Sequence, residues 1–435
     1  MSQPQPAEAR SPQHESHLSA GHSYVRMTAV FALVLLVGMA GGIGIGRMTA
    51  SDPDESFVAL DAVAELLNQN YYYRPTDPGD AESFNSSLEQ NAISGMLTSL
   101  DDDYTRYLLP AAAQVAEDEL TGQYGGIGVT LQDTGGVITV ARIGPDTPAA
   151  HAGIRVGDIV QRIDSRPVAS IDYPLHGVDL RGPVGSTVVM TVLQQGAEGP
   201  IDVSIEREAI VVHPVTYQMV AGTTYLWIHI DIFGDRTTEE LDQALAFGAQ
   251  SGATGIILDL RGNGGGWVQS AQETIGRFLP ASVGPAMYED SDPGQGGMVE
   301  KPIINGEQGP TDLPLIVLVD QDTASAAEIV AGSLRDYDRA LVVGEPTFGK
   351  GSVQRIFDFQ DGASLRVTVA EWFTPSRGRI QDEGIRPDVL LTTGGTQSAS
   401  GDPFINAAVS FHEAGKTRPT DLAQQPDTAQ ATPTG

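Results

Sequence analysis

The chain has 435 residues, of which 56 are acidic and 25 are basic, so that its net charge near neutral pH is -31. This surplus of carboxylates repels a phosphate backbone, and we expect no nucleic-acid partner. The chain contains no cysteine, which excludes disulfides, thiolate nucleophiles and cysteine-based metal sites, and its 8 histidines show no paired metal-ligand spacing.

The chain begins with a polar tail and an uncharged apolar run. Residues 1–26 are polar and predict a disordered cytoplasmic tail. Residues 27–46 carry no charge, over about the length that crosses a hydrocarbon core. A cleaved secretory signal has a shorter apolar stretch of about 7–15 residues, so we favour an uncleaved transmembrane anchor. Either interpretation places the rest of the chain outside the cytoplasm, in the periplasm or at the cell exterior.

A helical N-terminal section is predicted for residues 55–120. Apolar residues recur at spacings of three and four over residues 55–72 and 80–100, as in amphipathic helices. The second of these segments ends in a polar turn that carries aromatic residues, 101–108. We therefore expect two helices followed by a turn.

Two further regions differ in texture. Residues 121–210 consist of short β-branched runs between glycines, which indicates a compact module of strands. Residues 211–395 alternate strands with helices near 237–251, 267–278 and 325–336, which is typical of an α/β core. Residues 396–435 are of low complexity and predict a largely disordered tail with one short helix at 403–413.

Only three lysines occur in the chain, and Lys350 stands between two glycines. Arginine cannot lose its proton near neutral pH, whereas a buried lysine can. To act as a base, the lysine needs a pKa about three units below its ordinary value of about 10.4. The plainer interpretation is a solvated loop residue. Gln354 follows on an extended run, where its amide oxygen could orient the amine or simply face solvent.

Ser325 follows a predicted buried strand and opens a helix beside small residues. It is either an ordinary N-cap or a nucleophile whose developing charge the helix start stabilises. A glycine cluster, Arg261–Gly266, follows the preceding predicted strand. It is either a tight turn or a set of backbone N–H groups that bind an oxyanion, and the lack of a following Gly-Lys-Ser/Thr excludes a P-loop.

These segments together resemble the carboxyl-terminal processing peptidases, or tail-specific proteases, of serine peptidase family S41. The resemblance covers residues 55–390 and rests on Thr323–Ile329, Gly344–Gln354 and Gly384–Asp388 in the family's order. The separations of 25 residues from Ser325 to Lys350 and 4 residues to Gln354 also match. It implies a crotonase-like α/β protease core with an inserted PDZ domain.

By this resemblance, Ser325 is the nucleophile, Lys350 the general base and Gln354 the residue that positions it. The N–H groups of Gly265 and Ala326 would form the oxyanion hole. The family commonly has Asn-Pro-Gly-Gly where this chain has Asn-Gly-Gly-Gly at 263–266, which leaves the choice between adjacent glycines open. The implied reaction needs neither a metal nor an organic cofactor.

The β-rich module resembles the family's PDZ domain. Its carboxylate-binding loop would be Gly126, Ile127, Gly128 and Val129, whose successive N–H groups could hold a free protein C-terminus. The alternative is a glycine hairpin. The predicted partners are therefore proteins or peptides with free C-termini, and an adaptor protein and homo-oligomer formation remain open.

Two other functions compete with a Ser-Lys endopeptidase that cleaves extracytoplasmic proteins near or upstream of the C-terminus. One is a membrane-tethered PDZ adaptor with an inactive core, which the intact serine, lysine and glutamine argue against. The other is a PDZ-bearing trypsin-like protease, which needs a catalytic histidine that no position suggests. A Ser-x-x-Lys acyltransferase is excluded because Glu328 stands three residues after Ser325.

Overall fold

The computed structural model describes residues 58–168, 180–292, 297–391 and 401–422. These residues divide into two units, and the boundary in the chain lies between Leu100 and Asp101. The predicted tail and the predicted transmembrane anchor, residues 1–26 and 27–46, lie outside the described residues. Within the described ranges, none of the helices combines the length and the apolar character that crossing a membrane requires.

The described residues of the first unit form two helices, α1 (Val58–Asn70) and α2 (Pro78–Thr98). They lie at the two segments for which helices were predicted, although α2 buries none of its residues. A proline in the first turn starts α2, where its missing N–H costs no hydrogen bond. Tyr71, directly after α1, stacks on Phe84 of α2 with the ring centroids 6.1 Å apart.

The second unit begins with strand β1 (Arg106–Leu108), helix α3 (Pro110–Thr121) and strand β2 (Gln123–Gly126). The predicted helical section, residues 55–120, therefore contains a strand that belongs to a sheet of the second unit. Three residues are too few to show the alternation that identifies a strand, which is why the sequence pattern did not predict it.

An antiparallel sheet follows. The module that contains this sheet consists of β3 (Val129–Thr134), β4 (Val137–Ile143), α4 (Pro148–His151), β5 (Ile159–Ile163), β6 (Arg166–Pro167), β7 (Thr187–Leu193) and β8 (Ile201–Glu206). The strand order is β3-β4-β5-β7-β8, with β6 beside β5. Ile127, Ile163 and Met190 lie fully buried in its core. Strand β9 (Glu208–Val211) pairs with β2 and leads the chain out of this module.

The α/β region contains a six-stranded sheet with helices on it. The region as a whole, including four strands of a second sheet, contains β10 (Val215–Met219), β11 (Tyr225–Ile230), α5 (Thr237–Gln250), β12 (Gly255–Asp259), α6 (Val268–Ile275), β13 (Pro285–Asp290), β14 (Val299–Pro302), β15 (Leu315–Val319), α7 (Ala326–Asp336), β16 (Ala340–Gly344), β17 (Ser352–Asp358), β18 (Ser364–Phe373) and β19 (Val389–Leu390). The strand order of the six-stranded sheet is β10-β11-β12-β15-β16-β19, with all pairs parallel except β10 with β11.

Both faces of this sheet are covered. Ile256 and Leu258 of β12 point into the core that α5, α6 and α7 share, whereas Ile257 points into a second core on the opposite face. Such strands read as continuous apolar runs because neither face meets water. The turns that follow β12 and β15 lie at the same edge of the sheet, and they carry the glycine cluster and Ser325.

A second, antiparallel sheet lies in the same unit. Its order is β1-β18-β13-β14, and β17 pairs with β18. The loop between β16 and β17 carries Lys350, so this sheet brings β17 and β18 to the site.

The C-terminal segment differs from the prediction of a largely disordered tail. Residues 401–422 form α8 (Pro403–Glu413), the predicted short helix, and α9 (Pro419–Leu422). Phe404 and Ala408 of α8 are buried against the second core, and the Asp402 side chain caps the helix. Ile405, Val409 and Phe411 also pack against this core. Residues 423–435 of the predicted tail lie outside the described residues.

Candidate active site

Ser325 lies in the turn between β15 and α7, directly before the helix. The Thr323 hydroxyl donates to the carbonyl of Leu260 at 2.9 Å, and the Ala324 N–H donates to the carbonyl of Asn263 at 2.9 Å. These bonds tie the serine turn to the turn after β12. The neighbouring parallel strands β12 and β15 therefore place Ser325 beside the glycine cluster.

The backbone of Ser325 is strained. Its φ is 55° and its ψ is -118°, in the half of the conformational map that favours glycine. A non-glycine residue held in such a region costs about 1–3 kcal/mol and persists only when its surroundings fix it. An ordinary N-cap has extended backbone. The half-buried serine is thus held in an exceptional geometry at the start of a helix.

Glu328 fixes this geometry. Its fully buried carboxylate accepts hydrogen bonds from the Ser325 N–H at 2.8 Å and the Lys350 N–H at 2.9 Å. It also accepts from the Gly349 N–H at 2.8 Å and the Thr347 hydroxyl at 2.5 Å. Burial raises the pKa of Glu328, and these four bonds oppose that rise. One side chain thereby joins the serine turn to the lysine loop.

The loop between β16 and β17, which carries Lys350, is fixed through its backbone. The amine of Lys350 forms no hydrogen bond with Ser325. The Trp372 indole donates to the Lys350 carbonyl at 2.9 Å. The Nζ atom lies 5.2 Å from the centre of the Tyr104 ring, a cation–π arrangement. Among the described residues it makes no hydrogen bond, and so none to Ser325 Oγ.

The surroundings of Lys350 disfavour its charged form. Burial lowers the pKa of the amine, and the positive charges of Arg366 and Arg106 lower it further. The carboxylates of Glu328 and Asp102 act in the opposite direction. A lysine in this setting releases its proton more readily than one in water.

Gln354 lies on β17 beside the same space. Its amide nitrogen donates to the Ser352 hydroxyl at 3.0 Å and to the Thr368 hydroxyl at 3.4 Å. The hydrogen bond to Lys350 that the sequence suggested is not formed in this structure. The predicted positioning role of Gln354 stays a prediction.

The glycine cluster packs directly against the serine. A Cβ built on Gly265 would lie 2.7 Å from Ser325 Cβ, and the φ of Gly265 is 109°, so only glycine fits here. The Gly265 N–H donates to the side-chain oxygen of Asn263 at 2.8 Å. In this arrangement the predicted oxyanion donor is occupied. The N–H groups of Gly266 and Ala326 donate to no described residue.

A cavity of about 1040 Å³ opens in front of Ser325. Its wall includes the glycine cluster, Lys350, Gln354 and Arg366. Another part of the lining carries carboxylates: Glu119, Asp231, Asp235, Glu273 and Glu289. The volume suits a peptide segment, and its lining brings the predicted nucleophile, base and positioning residue into one space.

The predicted carboxylate loop of the β-rich module spans the end of β2 and the start of β3. Gly126 ends β2 and Val129 begins β3. Between them, the N–H groups of Ile127 and Gly128 have no acceptor within the described part of the chain. A Cβ on Gly128 would lie 2.3 Å from Thr147, and its φ is 76°. Two adjacent free donors in a glycine turn fit an anionic ligand.

The sequence reasoning missed four residues of the site: Glu328, Asn263, Tyr104 and Arg366. Glu328 had a signal, because Ser-x-x-Glu at a helix start is the capping-box pattern. Tyr104 and Arg366 come near Lys350 only because β1 pairs with the distant strand β18, which no local pattern reveals.

Two sequence families match the chain. The model described as "Peptidase family S41" matches residues 224–391, which contain the serine, the lysine and the glycine cluster. The model described as "PDZ domain" matches residues 125–205, the antiparallel module. The chain is also 32% identical to the carboxy-terminal processing protease CtpA of Bacillus subtilis, over 84% of this chain and 75% of that protein.

A second relative is the carboxyl-terminal-processing protease of Synechocystis, which is 34% identical over 75% of this chain and 74% of its own length. Among solved structures, the photosystem II D1 C-terminal processing protease is similar, with 27% identity and a TM-score of 0.43 over 77% of this chain and 92% of that one. The α/β region with its inserted PDZ module is the arrangement that these sequence matches indicate.

Proposed function

The chain belongs to peptidase family S41 and is a C-terminal processing protease of the serine type with a PDZ domain, and from this premise we propose that Ser325 is its nucleophile and Lys350 its general base. The observation that carries the proposal is the shared anchor: the Glu328 carboxylate binds the backbone N–H groups of both residues. The Glu328 carboxylate thus fixes the backbone of the proposed nucleophile and the backbone of the proposed base relative to each other.

Ser325 attacks the peptide carbonyl in this proposal. Its strained backbone and its place at the start of α7 support that role, because the helix N-terminus stabilises negative charge that develops there. An acyl-enzyme forms as the amine leaves, and water then releases it. The hydroxyl proton goes to Lys350, which passes it to the leaving amine.

Lys350 must be neutral to accept that proton. Burial and the two nearby arginines supply this condition, since both lower the pKa of the amine. The side chain has to turn from the Tyr104 ring towards Ser325 Oγ before the transfer. We propose that Gln354 then orients the amine through its amide oxygen.

The oxyanion hole combines two backbone donors in this proposal. The Ala326 N–H has no acceptor among the described residues and lies next to the nucleophile. The Gly265 N–H must leave the Asn263 side chain before it can bind the oxyanion. Gly266 is the alternative that the glycine run leaves open.

Substrate capture is assigned to the PDZ domain. The N–H groups at Ile127 and Gly128 would bind the carboxylate of a protein's C-terminus, and the adjacent strand β3 would pair with the peptide. The bound protein would then be cut near or upstream of that end. The natural substrates, and any adaptor or homo-oligomer, remain predictions.

The test is cleavage of an unfolded protein by the full chain and two serine variants. Ser325→Ala should lower the cleavage rate by at least about three orders of magnitude. Ser333→Ala is the matched control, because Ser333 lies in the same helix with a buried hydroxyl that has no partner within the described residues. Wild-type cleavage by Ser325→Ala would refute the proposal.

We further propose that residues 27–46 anchor the protein and that the protease part lies outside the cytoplasm. The uncharged run of the sequence supports this. Protease added to intact cells with a permeable outer layer should digest the catalytic part. Recovery of the intact chain in the cytosolic fraction would overturn this proposal.

A further inference from the structure

Arg366 lines the catalytic cavity with a guanidinium for which the described residues supply no ion-pair partner. It lies on β18, among the cavity residues that include Ser325, Lys350 and Gln354. Its Nε atom is buried and has no hydrogen-bond partner, and the group makes no ion pair within 4.0 Å among the described residues. The residue as a whole is half-buried, so that its guanidinium is only partly hydrated. An unpaired cation in such a setting favours the binding of an anion.

The neighbouring strands increase this cost. Arg106 of β1 lies directly opposite Arg366, and like charges opposite each other in an antiparallel pair are destabilising. The positive charge of Arg106 also acts on Arg366, and burial lowers the pKa of the Arg366 guanidinium. On the other side of β18, Arg366 faces the apolar Ile356 of β17. Neither neighbouring strand supplies the missing negative charge.

None of the carboxylates that line the cavity forms an ion pair with the Arg366 guanidinium within 4.0 Å. Glu289 pairs with Lys301 at 3.0 Å, and Glu273 accepts from the Thr238 hydroxyl at 2.9 Å. Glu119 attracts Arg366 electrostatically, yet no ion pair joins them within 4.0 Å. The Arg366 guanidinium is therefore available to bind a peptide that enters the cavity.

We propose that Arg366 binds a carboxylate of the substrate, either an Asp or Glu side chain near the cleaved bond or the C-terminal carboxylate itself. The proposal rests on the proposed protease function and adds a substrate preference to it. Arginine suits this task because its planar fork binds both oxygens of a carboxylate. Arg366 is thus a specificity-determining residue of the cavity.

The experiment compares cleavage of short peptides by the wild-type chain, Arg366→Gln and Arg355→Gln. One arm uses amidated peptides that carry Asp or Glu, against matched peptides with Asn or Gln. The other arm uses peptides without acidic side chains, with free or amidated C-termini. Arg355 is the matched control, because it is exposed on the adjacent strand and lies outside the cavity lining.

The wild type should prefer the carboxylate by about tenfold or more in kcat/KM in one arm, which identifies its source. Arg366→Gln should lose that preference, and Arg355→Gln should keep it. The PDZ loop is intact in both variants, so its own preference for a free C-terminus cancels in the comparison.

Equal preferences in the wild type and Arg366→Gln would overturn the proposal, even if the pH profile of the variant shifted. So would a wild type that is indifferent to the carboxylate in both arms. If Arg366→Gln fails to fold by its thermal midpoint, Arg366→Lys decides. It keeps the charge without the fork, and an unchanged preference in it refutes the proposal. Failure of the protease function itself would appear separately, as cleavage unaffected by Ser325→Ala.

Discussion

The helix start that carries Ser325 and the loop that carries Lys350 share the Glu328 carboxylate as an anchor, yet they differ in what each leaves free. At the serine, the backbone is strained and packed against Gly265, and the side chain faces the cavity. At the lysine, the backbone is equally fixed, but the amine lies over the Tyr104 ring rather than at the serine.

This difference separates two kinds of order in one site. The backbone geometry is set by hydrogen bonds of buried N–H groups, which would be left unsatisfied in any other position. The lysine side chain has several rotatable bonds, so its amine can take up more than one position. The proposed nucleophile is therefore in place before substrate arrives, whereas the proposed base, Lys350, must still move towards it. Each variant below acts on one side of this comparison.

Replacing the shared anchor should have the largest effect. Glu328→Gln puts an amide group where the carboxylate accepts four hydrogen bonds, so that buried donors face a donor. We expect about 3 kcal/mol of lost stability and at least about a hundredfold loss in kcat. Denaturant unfolding and cleavage assays measure both.

The matched control for the anchor is Glu413→Gln, which removes the same charge at an exposed position of α8. It should leave both quantities within error of the wild type. A stable and fully active Glu328→Gln would show that the two backbones need no common anchor.

Crowding the serine side should come next. In Gly265→Ala the new Cβ would lie 2.7 Å from Ser325 Cβ, and the backbone φ of 109° disfavours alanine. We expect about a hundredfold loss in kcat, because the oxyanion donor and the nucleophile are displaced together. Gly264→Ala is the control, since no atom lies within 4 Å of its added Cβ. Equal losses in the two variants would contradict the assignment.

A change in the PDZ domain should affect capture rather than chemistry. Gly128→Ala would place a Cβ 2.3 Å from Thr147 in the carboxylate loop. We expect KM for a substrate with a free C-terminus to rise about tenfold with kcat nearly unchanged. Gly136→Ala also has a positive φ, of 86°, but open space around it, and it should keep the wild-type KM. A fall in kcat alone would contradict the capture role.

The smallest effect is expected at the ring beside the lysine. Tyr104→Leu removes a cation–π contact that stabilises the charged amine by about 0.5–2 kcal/mol. The pKa of Lys350 should fall, so the rise of kcat/KM with pH should begin at lower pH. Tyr104→Phe keeps the ring and should keep the wild-type profile. A shift in the opposite direction would show that the ring does not hold the ammonium form.

The contrast between backbone and side chain also explains what could be predicted from sequence. The buried strands, the helix at 326–336 and the serine turn follow from local apolar runs and small residues, and the structure has them where they were expected. The resemblance supported by the separations of Ser325, Lys350 and Gln354 implied one active site, and all three residues line one cavity.

Other features depend on contacts between distant segments. Arg366 and Tyr104 reach Lys350 through β1 and β18, whose pairing no local period reveals. The bond from the Gly265 N–H to Asn263 competes with the oxyanion role that the glycine run suggested. The helix at 403–413 was predicted, but its packing against the sheet was not, because that contact joins segments far apart in the chain.

The most direct test of the central claim is the pH dependence of kcat/KM for the wild type beside Lys350→Arg. If Lys350 is the base, wild-type kcat/KM should rise with pH through an apparent pKa below the ordinary lysine value, because the neutral amine accepts the proton from Ser325. Lys350→Arg keeps the charge but cannot lose its proton, and it should be inactive at every pH. An arginine variant that cleaves with the wild-type profile would contradict the claim.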